Sequence, residues 1–333
     1  MAVDYLKRLL NGGPLTRSEA AELLKCMTAG KLSPEQAAAI LTIYQIRDIT
    51  VEELRGFRDA MISQALRVEL IDSNCCDLCG TGGDGKNTFN ISTAASFVVA
   101  AAGIPVTKHG NYSSSSLCGS SNVLEKLGVS FTSDREQLQR QLERSNFCYL
   151  HAPLFHPAMK NVAAVRKSLG IRTIFNLLGP LSNPASPPVQ LTGVSDLKTA
   201  RLYTRFFLEE KKAFSVVHSL DGYDEISLTG EFAIFSEDSE RINSPADLGI
   251  NTVDPSELVI SGGSDNAAKL FMSVLKGEGS TAQHDVVAIN AAAALKCIRS
   301  NQSLSDLFHE CREIIVSGKA FNAFNKYLEA AQK

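Results

Sequence analysis

The sequence predicts a protein in two parts, a small helical domain over residues 1–70 and a large α/β domain over residues 71–333. Three observations predict it. The first seventy residues carry three helix-start signatures; from Cys76 onward, short apolar runs alternate with longer segments of helical periodicity; and a glycine-rich stretch near residue 80 leads straight into an apolar segment. A length of 333 residues suits two domains of about 150 residues each. With 44% hydrophobic and 21% charged residues, the chain has ordinary globular composition and enough apolar mass for a core.

In the first part, Thr16 with Glu19, Ser33 with Gln36, and Thr50 with Glu53 have capping-box spacing, and Pro34 sits where a first-turn proline is tolerated. Gly12, Gly13 and Gly30 supply stops. Leu23, Leu24 and Met27, then Ala38, Ile40, Leu41 and Tyr44, recur at helical spacing, so these are short helices of a small bundle. None of their residues is chemically poised, and a leftover apolar face would suit a dimer contact. The start, Met1-Ala2-Val3-Asp4-Tyr5, reads as an amphipathic helix without the layout of a signal peptide, and no run approaches membrane-spanning length. The expected location is the cytoplasm.

The stretch Gly80-Thr81-Gly82-Gly83-Asp84-Gly85 opens the second part. Four glycines in six residues let the backbone approach a ligand and turn its N–H groups inward, as an anion cradle requires. Ser92 and Thr93 read as the N-cap and first turn of the helix that follows, which is apolar nearly all round and aims its positive dipole end at the loop. Two familiar phosphate loops fail here. The dinucleotide fingerprint lacks its acidic residue about twenty positions on, and the nucleotide-hydrolase loop has Asn87 where a Ser or Thr must reach magnesium. Asp84 inside such a cradle repels phosphate unless a metal or a cationic transition state lies between them.

Further along, residues 103–107 read as a strand, 122–127 as a helix ended by Gly128, and 135–144 as a polar-faced helix. Residues 147–150 and 213–217 read as buried strands, 265–276 and 286–298 as helices, and the last thirty residues as two more. Pro180, Pro184, Pro187 and Pro188 mark a crossing between units. Lys108, His109, Gly110 and Asn111 follow the strand, and the polar loop 113–116 leads through Gly119, Ser120 and Ser121 into a helix, which makes a second anion cradle with Lys108 as its charge. His156 and Pro157 open a helix that carries Arg166, whose planar fork suits a carboxylate. Asp221, Asp224 and Glu225 form an acidic loop at a strand end, suited to magnesium that substrate phosphates also hold. The turn Gly179-Pro180-Leu181-Ser182-Asn183-Pro184 is rigid enough to wall a pocket.

Charge and cysteines narrow the function class. A net charge of −3 and a pI near 6.1 leave no broad basic face for nucleic acid or a membrane surface, so phosphate chemistry must use a few focused cations. Cys75, Cys76 and Cys79 cluster, yet no second pair or histidine follows at zinc spacing, and the eight cysteines read as reduced packing residues.

Taken together, GTGGDGxNTFNIST, KHGN, the SxxGSS helix start, HPAMK, VRxxLGIRTIFNxLGPLxNPA and DGxDEISLTG resemble, in order and over nearly the whole chain, the anthranilate phosphoribosyltransferase family. The pyrimidine nucleoside phosphorylases, which share that fold, are the nearest alternative, and a non-catalytic nucleic-acid-binding paralogue is another. The resemblance implies a central mixed sheet of the nucleoside phosphorylase/phosphoribosyltransferase kind, with part of 160–185 packing on the small domain, a site between the two parts, and a homodimer. It implies that Gly80, Gly83, Asp84, Thr88, Asn90, Ser92, Thr93, Lys108 and Ser120 hold phosphoribosyl pyrophosphate. Ser92, Asp224 and Glu225 would take part in binding Mg2+, and Gly80, His109, Asn111, Arg166 and Gly179 would line the anthranilate path. No general base is assigned, with His109 as the candidate. Tyr112 and Leu117 stand where many members carry basic residues, so the loop would clamp pyrophosphate less tightly, and Phe155 would make the acceptor entrance more apolar.

Overall fold

The computed structural model describes residues 2–70, 74–113 and 117–332, and the chain forms two compact units. The helical unit comprises Met1–Arg67 and Ala152–Pro184; the α/β unit comprises Val68–His151 and Ala185–Lys333. No helix among the described residues is long and apolar enough to cross a membrane.

Local sequence dictates the helical unit. Helices Arg17–Thr28, Pro34–Ile46 and Val51–Ser63 each start at one of the expected capping boxes. Thr50 shows the reciprocal geometry: its hydroxyl accepts the Glu53 N–H at 3.2 Å and its own N–H donates to Glu53 Oε2 at 3.0 Å. Each cap of this kind stabilises the unit by about 1 kcal/mol. Helices Arg17–Thr28 and Val51–Ser63 pack so closely that a Cβ on Gly56 would collide with the Arg17 carbonyl and lie 2.8 Å from Ala20 Cβ. The returning segment adds helix Lys160–Leu169, where Asn161 Nδ2 donates to the Thr28 carbonyl at 2.6 Å, and helix Ile174–Leu178.

The α/β unit is built on a seven-stranded mixed sheet of β1 (Cys76–Leu78), β2 (Val106–Gly110), β3 (Phe147–His151), β4 (Val189–Gly193), β5 (Ala213–Ser219), β6 (Phe232–Phe235) and β7 (Glu240–Asn243). Their order is β3-β2-β1-β4-β5-β6-β7, parallel from β1 to β5, with β6 and β7 antiparallel. The parallel strands are buried on both faces, which explains their continuous apolar runs. Helices Ile91–Ala101 and Thr281–Ile298 fill the core, and around Phe97 the rings of Phe147, Phe324 and Tyr327 lie 4.2, 5.3 and 5.8 Å away. Chain order departs from β1 in both directions, through β2 on one side and β4 on the other. The carboxyl ends at such a switch leave the crevice where open α/β sheets bind ligands.

Several boundaries differ from the sequence expectation, each for a physical reason. The expected strand 103–107 begins at Val106 and runs to Gly110, so Lys108 and His109 lie within it; Pro105 has no N–H to pair and offers only its carbonyl, which accepts from Cys76 N at 2.8 Å. The helix after the glycine loop begins at Ile91, with Asn90 rather than Ser92 in the N-cap position, and Asn90 makes no side-chain cap bond. A distant carboxylate does that work, because Ser92 N–H donates to Glu225 Oε1 at 3.0 Å. The next helix spans Ser120–Lys126, two residues earlier than expected, since Asn122 is its third residue and accepts the Gly119 N–H at 2.9 Å. Helix Thr281–Ile298 starts five residues before the expected 286, at a capping box of Ser280 and Gln283. Strands β1, β4, β6 and β7 and helix Leu197–Glu210 were not foreseen. Of the polar loop 113–116, residues 114–116 lie outside the described residues.

Candidate active site

The loop leaving β1 bends through left-handed backbone at Gly82, Gly83 and Gly85, with φ of 65°, 81° and 74°, and at Asn87 with φ of 51°. Side chains other than glycine are strained there, apart from Asn, which tolerates this region best. Both ends of the loop are tied down. Thr81 N–H donates to the Gly193 carbonyl at 2.9 Å, Phe89 N–H to Leu258 O at 2.9 Å, and Ile260 N–H to Asn87 O at 3.0 Å. Thr88 forms an isolated bridge with Val259. Within the loop, Asp84 Oδ1 accepts the Lys86 N–H at 3.0 Å.

Against this loop lies the acidic segment that follows β5. Asp224 N–H faces Asp84 Oδ2 at 3.4 Å, and a Cβ on Gly80 would stand 3.3 Å from Asp224 Oδ2. Gly193 at the end of β4 has no room for a Cβ at all, because the Asp224 carbonyl occupies that position. Helix Thr281–Ile298 fixes the segment from behind, Asn290 accepting the Ile226 N–H at 3.1 Å and donating to its carbonyl at 2.8 Å. The glycine turn and the acidic pair, expected from opposite stretches of sequence, are therefore neighbours.

Acidic charge is concentrated here, opposed by Lys108. Burial pushes Glu225 up to about 8, against the opposing pull of the Ser92 N–H. Burial, and then the charges of Asp84 and Glu225, hold the Asp224 carboxyl well above the usual range. Glu225 Oε1 has its donor, yet Oε2 is buried with none. A desolvated carboxylate with an orphaned oxygen fits a hard cation. Among the described residues no three or more acidic, His or Cys side chains enclose an ion alone, so phosphate and water would have to complete its shell. Lys108 is 2% exposed, and its ammonium donates to the Leu78 carbonyl and reaches Ser92 Oγ at 3.4 Å, beneath the loop.

The second cradle is also built. His109 is buried, and its N–H donates at 3.2 Å to Asp77 Oδ1. Sequence reasoning missed Asp77; its signal was an acid inside a run that is otherwise apolar. Asn111 O accepts from Ser121 N at 3.2 Å and from Ser120 Oγ at 3.3 Å, and Asn90 Nδ2 donates to Cys118 O at 3.1 Å while its Oδ1 stays buried without a partner. Thr93 is buried in the first turn of its helix. Tyr112 and Leu117 are exposed, and the Tyr112 hydroxyl donates to Glu125 at 3.1 Å. Burial pushes the Cys79 thiol up to about 12, so it stays neutral beside the loop.

Arg166 and Gly179 belong to the helical unit. The Arg166 guanidinium stands over the Phe175 ring, 5.2 Å from its centroid, and burial lowers its pKa without removing its charge. No carboxylate of the described residues pairs with it. Gly179 ends helix Ile174–Leu178. His156 Nε2 lies 2.9 Å from the Ser182 carbonyl, and burial pushes its imidazole down to about 4, so it stays neutral and donates. Phe155, expected to make the acceptor entrance apolar, is fully buried.

Residues 72–321 match the α/β domain of a glycosyl transferase family, and residues 3–65 match the helical bundle domain of a glycosyl transferase family. The chain is 48% identical to an anthranilate phosphoribosyltransferase of Christiangramia forsetii, over 99% of both chains. The crystal structure of anthranilate phosphoribosyltransferase from Thermus thermophilus superposes with a TM-score of 0.91 at 34% identity, covering 98% of this chain and 99% of that one. The Saccharomyces cerevisiae enzyme, solved in complex with PRPP and Mg, has the same fold, with a TM-score of 0.91 at 24% identity over 99% of this chain and 98% of its own.

Proposed function

The chain belongs to the anthranilate phosphoribosyltransferase family, and from that premise we propose how it moves the 5-phosphoribosyl group of phosphoribosyl pyrophosphate onto the amine of anthranilate, releasing pyrophosphate in a step of tryptophan biosynthesis. The sugar diphosphate lies in the glycine turn, on backbone N–H groups around Gly80 and Gly83, with Asp84, Thr88, Asn90, Ser92, Thr93, Lys108 and Ser120 around it. Ser92, Asp224 and Glu225 would hold a magnesium ion, which when bound would neutralise the diphosphate and make it a better leaving group. The buried, unpartnered Glu225 Oε2 supports that assignment.

Leaving of pyrophosphate builds positive charge on the ribose, so the site must stabilise a departing anion and a transient cation. Asp224 and Glu225 would be ionised with the cation bound, and the cradle N–H groups and Lys108 receive the anion. Anthranilate carries an uncharged amine at neutral pH, so no general base is assigned and positioning supplies much of the acceleration. By the resemblance, His109, Asn111, Arg166 and Gly179 are assigned to anthranilate, with the Arg166 fork suited to its carboxylate. The net charge of −3 supports small-molecule partners over nucleic acid. A homodimer through the helical unit and a cytoplasmic location complete this reading.

One observation carries this reading: Glu225 caps the helix that follows the glycine loop while Asp224 packs on Gly80, so cradle and acids form one place. The test is a fluorescence assay of anthranilate consumption with phosphoribosyl pyrophosphate. Magnesium-dependent loss of signal, stopped by chelator, is expected. Phosphate-dependent release of base from a pyrimidine nucleoside, with anthranilate untouched, would reassign the chain to the phosphorylases.

A further inference from the structure

The end of β3 turns two polar side chains toward the start of helix Ser120–Lys126. Tyr149 Oη lies 2.7 Å from Ser120 Oγ and 2.8 Å from Ser121 Oγ, and Ser121 Oγ lies 2.9 Å from His151 Nδ1. At the other end Ser120 Oγ donates to the Asn111 carbonyl at 3.3 Å. Each hydroxyl has a single proton, so these contacts have a direction. The Asn111 carbonyl only accepts and takes the Ser120 proton. The proton between Ser120 and Tyr149 must then come from Tyr149, that between Tyr149 and Ser121 from Ser121, and that between Ser121 and His151 from the imidazole Nδ1–H.

The surroundings hold this order in place. Burial raises the Tyr149 pKa, so the phenol keeps the proton it donates, and burial lowers that of His151. The His151 ring is stacked on Phe131 at 4.4 Å and meets the Tyr112 ring edge-on at 4.9 Å, which fixes the plane in which Nδ1 points. Gly110 is what lets the groups meet: a Cβ there would collide with the Tyr149 hydroxyl and stand 2.5 Å from Ser120 Oγ.

We propose that Tyr149, Ser121 and His151 are positioning residues, a one-way hydrogen-bond chain that leaves the only proton of Ser120 at its outer end, able to swing from the Asn111 carbonyl to an oxygen of the sugar diphosphate. In the opposite direction Ser120 would give its proton to Tyr149 and turn only lone pairs to the anion, which is repulsive. The inference rests on the assignment of Ser120 to phosphoribosyl pyrophosphate made above.

Two measurements test it. Wild-type turnover is established first, since its absence would overturn the functional assignment and leave the direction of the chain to the second measurement. In Tyr149→Phe, the KM for phosphoribosyl pyrophosphate should rise about fivefold, the loss of one hydrogen bond, while that for anthranilate moves less than twofold. Ser121→Ala should give a smaller change of the same kind. Both Michaelis constants unchanged, or both raised alike, would overturn the proposal. In the second, 15N NMR of histidine-labelled wild-type protein should find His151 as the Nδ1–H tautomer. A protonated Nε2 with a bare Nδ1 would reverse the chain and end the proposal without any variant.

Discussion

Two glutamates with buried carboxylate oxygens, one in each unit, show how differently a fold can treat the same side chain. Glu53 is fully buried and completely satisfied: it accepts from Leu15 N at 2.9 Å, Tyr44 Oη at 3.0 Å, Thr50 N at 3.0 Å and Thr50 Oγ1 at 3.0 Å, and pairs with Arg47. Burial alone would raise its pKa, yet Arg47 and the two N–H donors bring it below the ordinary value. Glu225 has Ser92 N–H as a donor, one orphaned oxygen and two acidic neighbours, and it is pushed up to about 8. The first carboxylate belongs to the architecture. The second is held short of its partners, the arrangement expected where a bound cation completes the site.

Removing each acid breaks the comparison in a different observable. Replacing Asp224 and Glu225 together by Ala should cut turnover by about 10³-fold, the scale on which electrostatic stabilisation of a developing charge operates. Circular dichroism should be unchanged, and the melting temperature of the magnesium-free protein should fall by no more than the loss of one helix cap, about 1 kcal/mol of stability. Wild-type turnover with the same metal requirement would remove both residues from the mechanism.

Glu53→Gln should do the reverse, costing about 2 kcal/mol of stability because the half-buried Arg47 loses its charged hydrogen-bond partner. Urea unfolding of the whole chain reads this through the transition of the helical unit. A midpoint within error of wild type would mean that the Glu53 corner is not the structural counterpart claimed for it.

The pH dependence of stability separates the two acids by sign. Glu53 has a lowered folded-state pKa, so its contribution is present above the unfolded value of 4.5 and is lost as pH falls through the folded value. Glu225 has a raised one. Between 4.5 and about 8 the folded protein keeps a proton that the unfolded chain gives up, so stability falls as pH rises through that window. Without magnesium, Glu225→Gln should flatten the decline between pH 6 and 8, and a decline equal to wild type would assign it to other groups.

How much of this was legible depends on how local the cause was. The three capping boxes of the helical unit were readable because each is written within four residues. So were the glycine turn, whose left-handed positions demand glycine, and the mixed α/β class implied by resemblance. Less local causes stayed hidden. The start of helix Ile91–Ala101 was misplaced because its cap comes from Glu225, 133 residues away from Ser92. Hairpin β6–β7 and helix Leu197–Glu210 were missed, although Asp196 caps that helix by accepting Thr199 N–H at 2.7 Å. Asp77 was hidden because its partner, the His109 N–H, exists only once β2 lies beside β1.

The smallest expected effect concerns a charge that arrives already paired. Tyr112 stands where the resemblance led us to expect a basic residue, and its hydroxyl donates to Glu125 at 3.1 Å. An arginine introduced there meets that carboxylate first, and an exposed pair of this kind holds only about 0–1 kcal/mol, so part of the new charge remains available to the diphosphate. Tyr112→Arg should therefore lower the KM for phosphoribosyl pyrophosphate by only about threefold, less at high salt. Adding Glu125→Gln removes the competing acid and should deepen the gain. If the double variant improves and the single one does not, Glu125 absorbs the whole charge, as Glu53 does that of Arg47. If neither improves, position 112 does not face the substrate.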